Sequence, residues 1–151
     1  MKGTRRGTGL GLAIALAVTL VTGCSGDGNG GDGGDGGDGS ANLDLGGRTF
    51  VSQEVFGRPL VTGTQVTLSF EDDRISAEAG CNTMNAPATW TDGTLSVEGP
   101  MAMTRMACER GLQAQDEWLA EFLTSGPQVS IDGDTLILGN DRRGIVLTEG
   151  G

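Results

Sequence analysis

Four sulfur side chains sit within eight residues of one another: Met101, Met103, Met106 and Cys108, in the stretch MAMTRMACE. Thioethers and a thiolate suit Cu(I), a low-pKa cysteine does redox chemistry, and Met and Cys also fill cores. The chain has only three cysteines, Cys24, Cys81 and Cys108, and no histidine. Without histidine, the usual second ligand for copper or zinc is missing, and so is the base for a Ser or Cys dyad. Were 101–108 a regular strand, Met101 and Met103 would face one side and Met106 and Cys108 the other, so the four would not converge. No Cys-x-x-Cys is present to mark a redox thiol. No catalytic residue and no cofactor is therefore expected. A soft-metal site at Met101, Met103, Met106 and Cys108 is the sharper alternative to a packed strand leading into a helix.

Acids are plentiful, but no spacing among them singles out a glycosidase-like pair. Asp116 and Glu117 are adjacent in a helical stretch, so their side chains diverge by about 100°. They read as part of a solvated face. Arg105 reads as an exposed strand residue or a partner for a nearby carboxylate.

The elements that must position these residues follow from periodicity. TQVTLSFED alternates, with Val66, Leu68 and Phe70 on one face, and RISAEAG continues with Ile75, Ala77 and Ala79 after an acidic turn. TWTDGTLSV turns at Asp92-Gly93, and QVSIDGDTLIL turns near Asp132-Gly133 with Val129, Ile131, Leu136 and Leu138 inward. GIVLT closes the set. RTFVSQEVFGRPLV supplies one or two strands broken at Gly57 and Pro59. One helix, GLQAQDEWLAEFLTSG, places Leu112, Trp118, Leu119, Phe122 and Leu123 on one side and Gln113, Asp116, Glu117 and Glu121 largely on the other. Gly126 and Pro127 stop it. Trp118 and Phe122 read as core plugs. The expected class is α+β, mainly antiparallel β: a small sheet or partly closed barrel packed by one α-helix.

Ahead of this lies a different kind of sequence. Lys2, Arg5 and Arg6 precede an apolar run from Leu10 to Val21, too short for a comfortable membrane span and suited to a signal-peptide core. Val21-Thr22-Gly23-Cys24 resembles a bacterial lipobox. That resemblance implies cleavage before Cys24, acylation of Cys24, and attachment to the cell membrane or outer membrane on its extracytoplasmic side. Residues 1–23 are then the signal peptide. Residues 24–45 form the lipidated cysteine and a Gly/Asp-rich tether with too little apolar surface to order itself. Loss of Lys2, Arg5 and Arg6 takes the net charge from −10 to −13. Such a balance disfavours nucleic acid and peripheral adhesion to anionic lipid.

Residues 46–151 remain for the folded unit. The order of Gly80-Cys81-Asn82, then Thr104-Arg105-Met106-Ala107-Cys108, then a helix with Glu117-Trp118-Leu119, then DGDTLIL and GIVL, resembles the META domain of the HslJ-like heat-shock family. The resemblance implies antiparallel strands with one helix and brings an envelope and stress context, but no defined biochemical activity. The family often has a Trp where this chain has Phe50, and a Gly–aromatic pair after Gly-Cys-Asn where this chain has the loop Met84-Asn85-Ala86-Pro87. Two cysteines in an exported domain read as a disulfide between Cys81 and Cys108, with two separate buried thiols as the alternative. The expected function is a non-enzymatic lipoprotein, a monomeric domain acting through contact with an unidentified envelope protein. A ligand-binding or inhibitor module is the runner-up, and a thiol enzyme a distant third.

Overall fold

The computed structural model describes residues 43–150. Cys24, the signal segment and most of the tether lie outside them. Nine strands and one helix run in the order β1 (Thr49–Phe56), β2 (Thr67–Glu71), β3 (Arg74–Glu78), β4 (Thr83–Thr91), β5 (Thr94–Val97), β6 (Ala102–Met103), α1 (Arg110–Thr124), β7 (Val129–Asp132), β8 (Thr135–Gly139) and β9 (Gly144–Glu149). All pairings are antiparallel, and the sheet order is β5-β4-β3-β2-β1-β9-β8-β7, with β6 beside β4. The two ends of this path meet. Leu95 donates its N–H to the Pro127 carbonyl at 3.0 Å, and the Val129 N–H reaches the Gly93 carbonyl at 2.9 Å. The expected barrel with one packed helix is what forms, and it nearly closes.

The alternating residues fill it as the periodicity requires. Val66, Leu68, Phe70, Ile75, Ala77, Ala79, Val129, Leu136 and Leu138 are buried, and Ile131 packs against them half-buried. Phe70 sits edge-on between Phe50 (5.9 Å between ring centroids) and Trp90 (5.2 Å). The turn at Asp92-Gly93 has positive φ at both residues, 53° and 68°, as a type I′ turn demands. Gly57 and Pro59 end β1 rather than splitting it in two. Leu45 is fully buried and Leu43 packs beside it, so the folded unit begins a little before the boundary read from composition.

Two stretches depart from expectation. Met84-Asn85-Ala86-Pro87 is strand, not loop. β4 pairs β6 through Met84 and Asn85, then hands over to β5 from Ala88. Pro87 lies at the hand-over, where a residue without an N–H disturbs the ladder least. The stretch MAMTRMACE, in turn, is not a packed strand: only Ala102–Met103 pair, and the chain from Thr104 to Glu109 is irregular. Too few apolar residues alternate there to bury a strand face.

One clamp closes the end at which the chain enters. Arg48 donates to the Glu149 carboxylate at 2.5 Å and to the Gly133 carbonyl at 3.0 Å, and its guanidinium lies 5.0 Å from the centre of the Phe50 ring. That hydrogen bond holds the Glu149 carboxyl below the usual carboxylate range, against an opposing desolvation effect. A group depressed in this way adds stability above its unfolded value, about 4.3, and loses it as pH falls through the folded value. The thermal midpoint of the native chain is therefore expected to fall more steeply below about pH 4 than that of Glu149→Gln. Parallel melting curves across that range check this.

Candidate functional site

β3 carries the chain away from the clamp to the turn at residues 79–82, so this turn and its neighbours form the opposite end of the barrel. Gly80 has φ +109°, and a Cβ there would sit 2.8 Å from Thr64 Cγ2. Both the conformation and the close approach require glycine. Cys81, next along, is disulfide-bonded to Cys108, with the two Cα atoms 6.2 Å apart and a sequence separation of 27. The pairing expected from cysteine count is the one formed. As half a disulfide, Cys108 offers no thiolate to a metal. Met101 and Met103 are half-buried against the core and Met106 is 62% exposed.

Asn82 is the hub. Its N–H and its side-chain Nδ2 both donate to Asp116 Oδ2 at 2.9 Å. Its Oδ1 accepts from the Thr104 hydroxyl at 3.1 Å and from the Met106 N–H at 2.8 Å. Thr104 completes the tie through its N–H to the Thr83 carbonyl and its hydroxyl to the Thr83 N–H. Every side-chain polar function of Asn82 is thus engaged in holding segment 104–106 to the helix.

The carboxylate at the centre corrects the sequence reading. Asp116 was expected on a solvated face, yet it is 0% exposed. Gln115 beside it is also buried. Its Nε2 donates to the Thr64 hydroxyl at 2.8 Å and to the Ala79 carbonyl, and its Oε1 accepts the Val61 N–H at 2.7 Å. The helix therefore does more than plug the barrel. Leu119, Phe122 and Leu123 are buried in the core, while Gln115 and Asp116, one turn earlier, fasten the loops 61–64 and 79–82. Glu117 is exposed, so the adjacent acids diverge as their spacing requires. Phe122 is buried, whereas Trp118 is only half-buried, less of a core plug than expected. A signal for Asp116 does exist in the sequence. It stands four residues after Leu112 and three before Leu119, on the apolar stripe rather than off it.

The motif residues Gly80, Cys81, Asn82, Thr104 and Cys108 are therefore structural fasteners. What they present outward is Arg105, Met106 and Ala107, all exposed. A shallow hollow of about 310 Å³ opens there, lined by Met103, Arg105, Met106, Gln113 and Glu117 together with Asn82 and Thr104. Among the described residues, neither Arg105 nor Glu117 has an ion-pair partner.

Two predictions test this fastening. Asp116→Ala strands two buried donors of Asn82 and is expected to cost about 2–4 kcal/mol, as is Asn82→Ala, with the double mutant well short of the sum. Chemical denaturation of the four proteins measures the coupling. Cys81→Ala and Cys108→Ala are each expected to cost about 2–5 kcal/mol and the pair little more, because both break one link. Met106→Leu, at an exposed site, is expected to change stability by less than about 0.5 kcal/mol in the same assay.

Comparison with known proteins agrees with this geometry. One solved NMR structure is 28% identical, covering 69% of this chain and 90% of its own, with a TM-score of 0.56. An NMR structure of a protein from Burkholderia xenovorans is 22% identical over 70% of this chain and 83% of its own, also with a TM-score of 0.56, and shares the fold. No curated protein matches. The family model for the META domain matches residues 42–149, almost the whole described unit, and the chain belongs to the META-domain family.

Proposed function

We propose that this protein is a lipid-anchored envelope protein whose META domain acts by contact with another envelope protein, in a stress-related or envelope-integrity role, and not by catalysis. The observation that carries the contact reading is the use made of the family motif. Its polar members are engaged with one another, and the result is a braced surface bearing Met106, Arg105 and Glu117. An exposed methionine beside unpaired charges, on a segment tied by a disulfide and a buried carboxylate, suits recognition, because little ordering entropy is lost on binding.

Anchoring rests on Lys2, Arg5 and Arg6, the apolar run and Val21-Thr22-Gly23-Cys24. Two or three acyl chains on Cys24 would hold the protein firmly, each buried CH₂ adding about 0.8 kcal/mol. The β1–β9 and β2–β3 registers put the motif end of the barrel away from Leu43, where the chain enters.

Cys24→Ser is expected to move the protein from the membrane to the soluble fraction. A mutant that stays with membrane through a high-salt wash contradicts the anchoring. Crosslinking in intact cells followed by affinity capture tests the contact reading. Capture of the same partner is expected from the wild type and not from an Arg105→Glu, Met106→Asp variant. An unchanged capture pattern would place the contact elsewhere.

A further inference from the structure

The net charge hides a local reversal. Gly57 packs so closely on the loop between β8 and β9 that a Cβ there would lie 3.4 Å from the Arg143 Cα. That contact sets the backbone next to Arg58 against that of Arg142 and Arg143. The Arg58 guanidinium lies 5.9 Å from the centre of the Trp118 ring, and that of Arg143 lies 5.5 Å from the centre of Phe122. The two rings are themselves stacked, 5.9 Å apart and 9° from parallel. Arg58, Trp118, Phe122 and Arg143 thus form one continuous run, with exposed Arg142 at its edge. The loop is set by Asn140, whose Oδ1 accepts the N–H groups of Arg142 at 3.0 Å and of Arg143 at 3.2 Å.

Among the described residues, every ion pair belongs to Arg48, so Arg58, Arg142 and Arg143 have no carboxylate within 4.0 Å, although Asp141 shares the loop of Arg142 and Arg143 and Glu121 lies on the helix that carries the two rings. A guanidinium laid on a ring uses its face and keeps its N–H edge free, the geometry that grips a carboxylate with two parallel hydrogen bonds. Stacking also fixes long side chains in advance, which lowers the entropy lost on binding.

We infer that this run docks an acidic segment of a partner protein, with carboxylates at Arg58, Arg142 and Arg143 and an apolar side chain against the half-buried Trp118. A protein segment fits better than a long polyanion. The surrounding surface is acidic and repels an extended negative chain, whereas a short segment can place its charges on the arginines alone. β1 ends and β9 begins here, with Phe56 opposite Gly144. The run therefore lies at the barrel end away from Leu43. The inference goes beyond the contact reading, because it concerns a second surface, and its test depends neither on the surface at Met106 nor on anchoring.

The probe is a labelled peptide of alternating glutamates and leucines, titrated into the full chain in mild detergent and followed by fluorescence anisotropy, with sodium polyphosphate as competitor. Saturable binding that weakens with salt is expected. Arg142→Gln with Arg143→Gln should weaken it roughly tenfold or more, about the loss of one charge-assisted hydrogen bond. Arg142→Gln alone leaves both ring contacts intact and should still weaken it, which guards against a folding artefact. Arg74→Gln, whose side chain bonds Asn85 on another face, should leave binding unchanged. No peptide binding, binding indifferent to Arg142 and Arg143, or binding of polyphosphate in place of the peptide each overturns the inference.

Discussion

A single buried carboxylate joins the helix to the turn that follows β3. Asp116 projects from α1 into a place where its Oδ2 takes both the main-chain and the side-chain N–H of Asn82. A charge removed from water is costly unless it is hydrogen-bonded. Here Oδ2 is bonded to the one residue that also holds Thr104 and Met106, while Oδ1 is buried with no hydrogen-bond partner among the described residues. The helix, the turn after β3 and the irregular segment before the helix are therefore interdependent. Gln115 extends the arrangement to the loop at Val61 and Thr64, and the Cys81–Cys108 disulfide ties the same parts covalently.

A motif rich in chemically capable residues is thereby committed to holding the fold. Cysteine, asparagine and threonine together could serve a nucleophile or a metal. In this fold the cysteines are bonded to each other, the asparagine is fully hydrogen-bonded, and the threonine locks the strand edge. The barrel interior is filled by aliphatic and aromatic side chains, with Phe50, Phe70 and Trp90 packed edge to face. The surfaces for which contact is proposed are the hollow beside Met106 and the arginine–aromatic run along α1.

The strands were legible where one face is buried. Val66-Leu68-Phe70 and Leu136-Leu138 alternate because the barrel has an inside and an outside, and Asp92-Gly93 marks its turn because few other pairs tolerate two positive φ values. The first part of β4, Met84 to Pro87, was missed: Pro87 reads as a strand breaker but occupies the point where the strand changes partners. MAMTRMACE misled in the opposite sense. Its apolar residues suggested a packed strand, but segment 104–109 is held by one asparagine and one disulfide, a long-range arrangement that local pattern does not encode. Asp116 was misplaced for a related reason. Periodicity assigns a charged residue to solvent, and only its position between Leu112 and Leu119 hinted that it turns inward to a partner 34 residues away.

Native-state hydrogen exchange at the Asn82 and Met106 amides tests this account most directly. If the Asp116–Asn82 pair is integral to the fold, both amides exchange only through global unfolding, with the same opening free energy as core amides such as Leu68 in β2. If they instead exchange through local opening while the strands stay protected, the motif is a mobile loop laid on a finished barrel, and the central role given to Asp116 is wrong.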